Sequence, residues 1–191
     1  MKFWTIPTIM TWTRIIAIPL IVGVFYIDIP AVDRNLIATV MFVVFAATDW
    51  LDGYLARKLN QTSSFGAFLD PVADKFLVCA ALLVLVHLQR ADVFVALIII
   101  GREIAISALR EWMAKIGESK SIAVSMLGKF KTVFQMVAIL LLLYHDPIVD
   151  LPTNEIGTVL IYLAALLTLW SMIYYLLLAW QQVSRKSHKQ N

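Results

Sequence analysis

The sequence predicts an all-α integral membrane protein with six transmembrane helices, and three observations support that fold class. Hydrophobic residues make up 61% of the 191 residues and charged residues only 15%, which is too apolar for a soluble domain of this size. Apolar runs recur along the chain with polar breaks between them. Fourteen of the sixteen basic residues would lie on one side of a membrane crossed by these runs. Because little polar sequence remains, residues 1–191 are predicted to form a single transmembrane domain.

The apolar runs predict six helices in chain order, at residues 13–28, 35–57, 71–89, 92–116, 122–145 and 154–182. Several apolar cores are shorter than the ~20 residues that span a bilayer, so their helices must continue into polar sequence at one end. The second run is nearly all apolar from Leu36 to Ala47 and then continues through Asp49 and Asp52. Residues 59–65 are predicted to form a polar turn, which would make the second and third helices neighbours. The third helix is expected to begin near Pro71, because proline suits a first turn.

The first twelve residues carry aromatic and aliphatic side chains among threonines and Lys2. This pattern fits a short amphipathic helix that lies in the membrane interface before the first span. It fits equally well the beginning of the first span itself. The sequence leaves both alternatives open.

The basic residues also indicate an orientation. The breaks near 29–34, 88–92 and 146–153 contain only Arg34 and Arg90 as basic residues. By the positive-inside rule the opposite side, with the other fourteen, is cytoplasmic. Both termini fall on that side, which agrees with an even number of spans.

Four aspartates in this oily sequence are the strongest indication of function: Asp49, Asp52, Asp70 and Asp74. Ionised carboxylates beside membrane-spanning segments are costly and usually mark a functional site. Spacings of three and four residues place each pair on one face of a helix. Two such helices facing each other would bring four carboxylates together, a ligand set that suits two Mg²⁺ or Mn²⁺ ions. The alternative, interfacial carboxylates paired with neighbouring basic side chains, does not easily explain four at this spacing.

Small residues near the first aspartate pair fit a ligand site. Gly53 and Ala56 leave room for a bulky group to approach the helix backbone closely. Arg57 lies one turn after Gly53, within reach of a phosphate bound there.

A second set of basic residues predicts a pocket for an anionic substrate. Arg102 and Arg110 are eight residues apart, about two helical turns, and therefore share a face. Lys129 and Lys131 open the fifth span. A pocket beside the metal site would explain Arg102 and Arg110 better than snorkelling to lipid headgroups does. For Lys129 and Lys131 the two explanations stay open.

The aspartate segment resembles the signature of the CDP-alcohol phosphotransferases, Asp-x2-Asp-Gly-x2-Ala-Arg-x8-Gly-x3-Asp-x3-Asp. The signature is complete here, with Asp49, Asp52, Gly53, Ala56, Arg57, Gly66, Asp70 and Asp74. The resemblance implies a six-helix membrane enzyme, usually a homodimer, whose four aspartates hold the two metal ions. It further implies that Asp70 and Asp74 are catalytic, and that Gly53, Ala56, Arg57 and Gly66 bind the nucleotide pyrophosphate.

The resemblance extends over most of the chain. Residues 6–14 are similar to the family's N-terminal segment, although Thr8 stands where many members have Asn. Residues 102–112 and 128–132 are similar to the bacterial members whose acceptor is sn-glycerol 3-phosphate. The implied reaction transfers the phosphatidyl group from CDP-diacylglycerol to sn-glycerol 3-phosphate and releases CMP, in phospholipid biosynthesis at the bacterial inner membrane.

The same resemblance assigns roles to individual residues. Asp74 would take the proton of the attacking hydroxyl, and four basic residues would hold the acceptor phosphate: Arg110, Arg102, Lys131 and Lys129. Membrane lipids are expected partners and nucleic acid is not. Phosphatidylglycerol, inositol phosphate and serine remain alternative acceptors. From other classes, a divalent-metal transporter or a purely structural helical protein stays open.

Overall fold

The structure, a computed structural model, describes residues 6–59, 64–115 and 126–190, and most side chains between 11–48, 71–115 and 130–182. These ranges contain six helices and no β-strand, which confirms the predicted all-α class. The helices are α1 (Ile6–Val24), α2 (Ala31–Leu59), α3 (Ser64–His87), α4 (Val93–Lys115), α5 (Met126–Tyr144) and α6 (Thr153–Gln190).

Two helix starts differ from the prediction. For residues 6–12 the structure favours the second alternative, the beginning of the first span, because α1 is one continuous helix from Ile6 to Val24. Thr11 and Arg14 of this helix are buried. Helix α3 begins at Ser64 and not at Pro71, which lies inside the helix. The neighbouring helices of a membrane bundle make such an interior proline tolerable.

The apolar surface points to a membrane protein. In the described part of the chain, the segments Ala31–Thr48 and Thr153–Gln182 are long and apolar enough to cross a membrane. Phe94, Leu166 and Trp180 expose 63–74% of their area, as expected for side chains that face lipid. The described parts of the other helices are not long and apolar enough to meet this criterion, so six membrane crossings stay a prediction.

Helix α3 lies at the centre of the bundle, where it contacts α1, α2, α4 and α5. Its residues Leu82 and Leu85 are fully buried with Phe42 of α2, Ile99 of α4 and Ile139 of α5. A smaller apolar cluster joins α4 to α6 farther along these helices, and consists of Ile106, Met113, Tyr175 and Ala179. Apolar packing therefore holds the helices together on both sides of the charged residues that lie between these two clusters.

Helices α5 and α6 approach each other closely at Gly157. A Cβ atom at this position would lie 2.9 Å from Cγ of Leu142 and 3.1 Å from Cβ of Leu141. A larger residue here would force Leu141 and Leu142 to shift, so glycine permits this close approach of α5 and α6.

One end of the bundle is closed by a hydrogen-bond cluster around Arg90. Arg90 donates to the carbonyls of Leu142 (3.2 Å) and Leu143 (3.0 Å) and to Oδ1 of Asn35 (2.9 Å). Nδ2 of Asn35 donates to Asp146 at 3.2 Å. The breaks between α1 and α2, α3 and α4, and α5 and α6 therefore lie at the same end, as the charge pattern predicts.

Local capping explains where the helices stop at this end. Helix α3 ends in a Schellman motif, with Gln89 at φ 57° and the N–H of Arg90 bonded to the carbonyl of Leu85 at 2.8 Å. Helix α4 is capped by Asp92, whose Oδ1 accepts from the N–H of Phe94 at 2.7 Å.

Candidate functional site

A cavity of about 370 Å³ opens among α2, α3, α4, α5 and α6, at the level of the aspartate motif. Its lining residues come from all five helices: Ala46, Asp74, Lys75, Val78, Arg102, Glu103, Arg110, Thr132, Gln135, Met136 and Tyr175. The cavity therefore joins Asp74 of the aspartate motif to the two arginines that the sequence assigns to an anionic substrate.

Asp74 is the one signature aspartate whose side chain the structure describes, and it is exposed on the cavity wall. The backbones of Asp49 and Asp52 lie in α2 and that of Asp70 in α3, and α2 packs against α3. The side chains of the other signature residues lie outside the described part: Asp49, Asp52, Gly53, Ala56, Arg57, Gly66 and Asp70. Convergence of the four carboxylates therefore stays a prediction.

The two arginines of α4 line the same cavity in different ways. Arg102 is 7% exposed, and its Nη1 donates to Oε1 of Glu103 at 3.1 Å. Its Nη2 lies 3.5 Å from Oγ of Ser171 on α6. Arg110 is exposed, with its guanidinium carbon 6.0 Å from the ring centroid of Tyr175. This cation–π contact does not use up hydrogen-bond acceptors, so the N–H groups of Arg110 can also donate to a bound anion.

Lys131 is buried, and its ammonium forms an ion pair with Oε1 of Glu103. Among the described residues it is not part of the cavity lining, so it supports the wall through Glu103. Burial of an ammonium is costly without a carboxylate partner, which explains the pairing. Lys129 lies in α5 and its side chain is outside the described part. Phosphate binding by either lysine stays a prediction.

Three polar residues of the site were missed by the sequence reasoning: Lys75, Glu103 and Gln135. Lys75 donates to Oγ of Ser107, which itself donates to the backbone carbonyl of Glu103 at 2.6 Å. Glu103 bridges Arg102 and Lys131. Each residue is a polar side chain within an apolar helix, which is a usable signal of function.

The arrangement suits a phosphorylated alcohol. Lys75, Arg102 and Arg110 place three cations against the two carboxylates of Asp74 and Glu103 on the described cavity wall. The cations can bind a phosphate, while a carboxylate can accept the proton of a hydroxyl group. The carboxylate of Asp74 is a hard oxygen donor of the kind that Mg²⁺ and Mn²⁺ prefer, and its assembly with the other three aspartates into a metal site stays a prediction.

Comparison with known proteins gives consistent matches. Residues 4–170 match the family model described as CDP-alcohol phosphatidyltransferase. The chain is 50% identical over 184 residues to a CDP-diacylglycerol–glycerol-3-phosphate 3-phosphatidyltransferase of Haemophilus influenzae, with 94% of this chain and 95% of the relative covered. It is 49% identical over 175 residues to the protein of the same description from Escherichia coli (strain K12), with 91% and 93% covered. A Salmonella choleraesuis protein of that description is 48% identical over the same shares.

Proposed function

The chain belongs to the CDP-alcohol phosphatidyltransferase family, and we propose that it transfers the phosphatidyl group of CDP-diacylglycerol to sn-glycerol 3-phosphate and releases CMP. The observation that carries this proposal is the similarity, over nearly their whole length, to bacterial relatives described by that reaction. The cavity supports the choice of acceptor, because its cations suit a phosphorylated alcohol better than serine.

Different residues of the chain bind the two substrates. Arg102 and Arg110, which line the cavity, bind the phosphate of glycerol 3-phosphate, and Lys131 and Lys129 are further candidates for this phosphate. The oxygen of the C1 hydroxyl attacks the β-phosphorus of CDP-diacylglycerol, Asp74 accepts the proton of that hydroxyl, and CMP leaves. Gly53, Ala56 and Gly66 allow the nucleotide close to the helices, and Arg57 holds a phosphate of the donor. This geometry replaces a bimolecular encounter with one oriented attack.

The four aspartates complete the site as metal ligands. Asp49, Asp52, Asp70 and Asp74 would hold two Mg²⁺ or Mn²⁺ ions. When bound, such ions neutralise the negative charge of a pyrophosphate and of the leaving group. Because carboxylates beside a dication are weak bases, the role of Asp74 as proton acceptor depends on its position next to the acceptor hydroxyl.

The same proposal includes a place in the cell. The six helices cross the bacterial inner membrane, with both termini and the cavity on the cytoplasmic side, where the soluble acceptor is available. CDP-diacylglycerol enters from the surrounding lipid, and the protein works as a homodimer.

The test is CMP release by the purified protein in detergent with CDP-diacylglycerol and Mg²⁺. Glycerol 3-phosphate, inositol 1-phosphate, serine and phosphatidylglycerol are supplied separately, and we expect release with glycerol 3-phosphate alone. Release with another acceptor would keep the family reaction and overturn the assignment of Arg102 and Arg110. Uptake of Mn²⁺ into vesicles without CMP release with any acceptor would favour the transporter instead.

A matched pair of substitutions tests the role of the aspartate motif. Asp74→Asn should lower the rate of CMP release about a hundredfold or more, since the variant loses a base and a metal ligand. Asp92→Asn at the other end of the bundle should keep the activity, because asparagine also caps a helix well. Equal activity of the two variants would contradict the proposed site.

A further inference from the structure

Two buried polar atoms of the cavity wall have no hydrogen-bond partner among the residues whose side chains the structure describes. One is Nε of Arg102, which is a donor, and the other is Oε1 of Gln135, which is an acceptor. Buried polar atoms without a partner are rare in folded proteins and each calls for an explanation. Both residues line the same cavity, where a small rotation of either side chain brings its unpaired atom to one bound ligand.

Gln135 belongs to the cavity by its place on α5. It lies one helical turn after Lys131 and is 4% exposed. Thr132 and Met136, at neighbouring positions on the same face of α5, also line the cavity. An amide in this apolar part of α5 is costly to bury, and packing alone would favour leucine or methionine here.

Apart from Arg110, which the proposed function assigns to the phosphate, the other polar groups of the described wall already have partners. Lys75 bonds to Ser107, and Glu103 accepts from both Arg102 and Lys131. Asp74, Thr132 and Tyr175 each make interactions of their own. The ligand that fits the remaining pair of atoms has an anionic group for the N–H of Arg102 and a hydroxyl donor for the oxygen of Gln135.

We propose that Gln135 is a specificity-determining residue that accepts a hydrogen bond from the C2 hydroxyl of glycerol 3-phosphate. This inference rests on the proposed function. In that reaction the C3 phosphate occupies the arginines and the C1 hydroxyl is the attacking group. The C2 hydroxyl is the one polar group of the acceptor that has no assigned role, and Gln135 is the buried acceptor that has no partner on the described wall. An acceptor without this hydroxyl leaves the amide oxygen buried and unpaired, so the site discriminates against it.

The experiment compares two acceptors that differ only at C2. Glycerol 3-phosphate and 3-hydroxypropyl phosphate both carry the attacking hydroxyl and the phosphate, but the second lacks the C2 hydroxyl. The ratio of their kcat/KM values is measured by CMP release for the wild type, Gln135→Met and Met136→Leu. Methionine keeps the length of the glutamine side chain without its hydrogen-bonding atoms. Met136→Leu is the control, because it changes an apolar residue of the same cavity wall.

We expect the wild type to prefer glycerol 3-phosphate by about tenfold or more, the effect of leaving a buried acceptor unpaired. Gln135→Met should lose most of this preference through a lower kcat/KM for glycerol 3-phosphate, with little change for 3-hydroxypropyl phosphate. Met136→Leu should keep the ratio of the wild type.

Several outcomes would overturn the inference. If the wild type uses both acceptors equally well, the C2 hydroxyl has no partner in the site, and this result needs no variant at all. If Gln135→Met keeps the preference of the wild type, another residue reads the hydroxyl. In either of these two outcomes, the proposed function stands as long as the wild type is active with glycerol 3-phosphate. A wild type that is inactive with glycerol 3-phosphate contradicts the proposed function and this inference together.

Discussion

The two ends of the bundle each contain buried or half-buried arginine, and they use it differently. At the closed end, Arg90 donates to two carbonyls at the end of α5 and to Asn35 at the start of α2. At the open end, Arg102 donates to Glu103, keeps a buried Nε without a partner among the described residues, and lines a cavity of about 370 Å³. Arg90 joins the ends of helices by hydrogen bonds, whereas Arg102 lies on the wall of a cavity large enough for a substrate.

The difference shows that the type and burial of a charged residue do not reveal its role. Both arginines are basic residues in or near apolar segments, where ionisable groups are candidates for function. What separates them is whether a buried N–H of the guanidinium is left without an acceptor. Arg90 donates to three acceptors within the bundle, whereas the buried Nε of Arg102 has no partner among the described residues.

The same substitution at both arginines tests this comparison with the largest expected effect. A lysine has one nitrogen and cannot bond to acceptors as a planar fork does. Arg102→Lys should raise KM for glycerol 3-phosphate about tenfold through the lost phosphate contact. Arg90→Lys should leave KM unchanged and lower stability by on the order of 2 kcal/mol, since carbonyls at the end of α5 lose their donor. Acceptor kinetics and thermal unfolding in detergent measure the two effects, and an exchange of the two outcomes would contradict the assignment.

The carboxylates that accompany these arginines provide a second, smaller contrast. Glu103 is mostly buried between Lys131 and Arg102, and Glu103→Gln removes the countercharge of both. We expect a loss of about 2 kcal/mol in stability, because a buried ammonium is left uncompensated. Asp146→Asn, at the half-buried partner of Asn35, should cost less than about 1 kcal/mol.

A double variant separates the ion pair from other effects of Glu103. If the loss of stability comes from the pair, the double variant Glu103→Gln/Lys131→Met should lose less stability than the sum of the losses of the two single variants. Strict additivity in thermal unfolding would show that the pair with Lys131 is not the cause.

The smallest expected effect concerns pH at the closed end. His145 follows α5, and burial and the nearby charge of Arg90 lower the pKa of its imidazole. Asp146 and a hydrogen bond with Asn154 oppose this shift without cancelling it. The unfolded chain, with an imidazole pKa near about 6.5, therefore binds a proton more readily than the folded protein does.

The sign of the pH effect follows from this difference. The contribution of His145 to stability is present above the unfolded pKa and is lost as pH falls toward the lower folded pKa. Melting temperatures at pH 7.5 and 5.0 should differ more for the wild type than for His145→Asn. Asparagine is the suitable replacement because His145 has φ 64°, a left-handed conformation that asparagine tolerates. An equal difference in both proteins would contradict the prediction.

Much of the fold could be predicted because helical periodicity and charge are local properties of the chain. Six helices follow from the apolar runs, and the breaks between them carry recognisable caps such as Asp92. The start of α1 could not be predicted, since the amphipathic pattern of its first turns suits a membrane surface and a protein surface equally. The position of Pro71 inside α3 could not be predicted either, because neighbouring helices decide whether a proline is tolerated.

The candidate site divides in the same way. The spacing of Arg102 and Arg110 predicts one shared face, and the structure brings both to one cavity with Asp74. Lys131 was assigned to the phosphate with these arginines, but its ammonium is paired with Glu103, a partner 28 positions away in the sequence. Gln135 and Lys75 carry no spacing pattern that links them to the aspartates.

The sequence by itself determined the helices, the sidedness of the basic residues and the aspartate signature that identifies the family. Each of these depends on residues that are close in the chain, where the helical repeat decides which side chains share a face. Only the tertiary structure decided which faces meet: that five helices surround one cavity, that Glu103 neutralises a buried lysine, and that Gln135 lines the cavity with Arg102 and Asp74. These contacts join distant residues, and packing between helices selects them, which no pattern along a single helix contains.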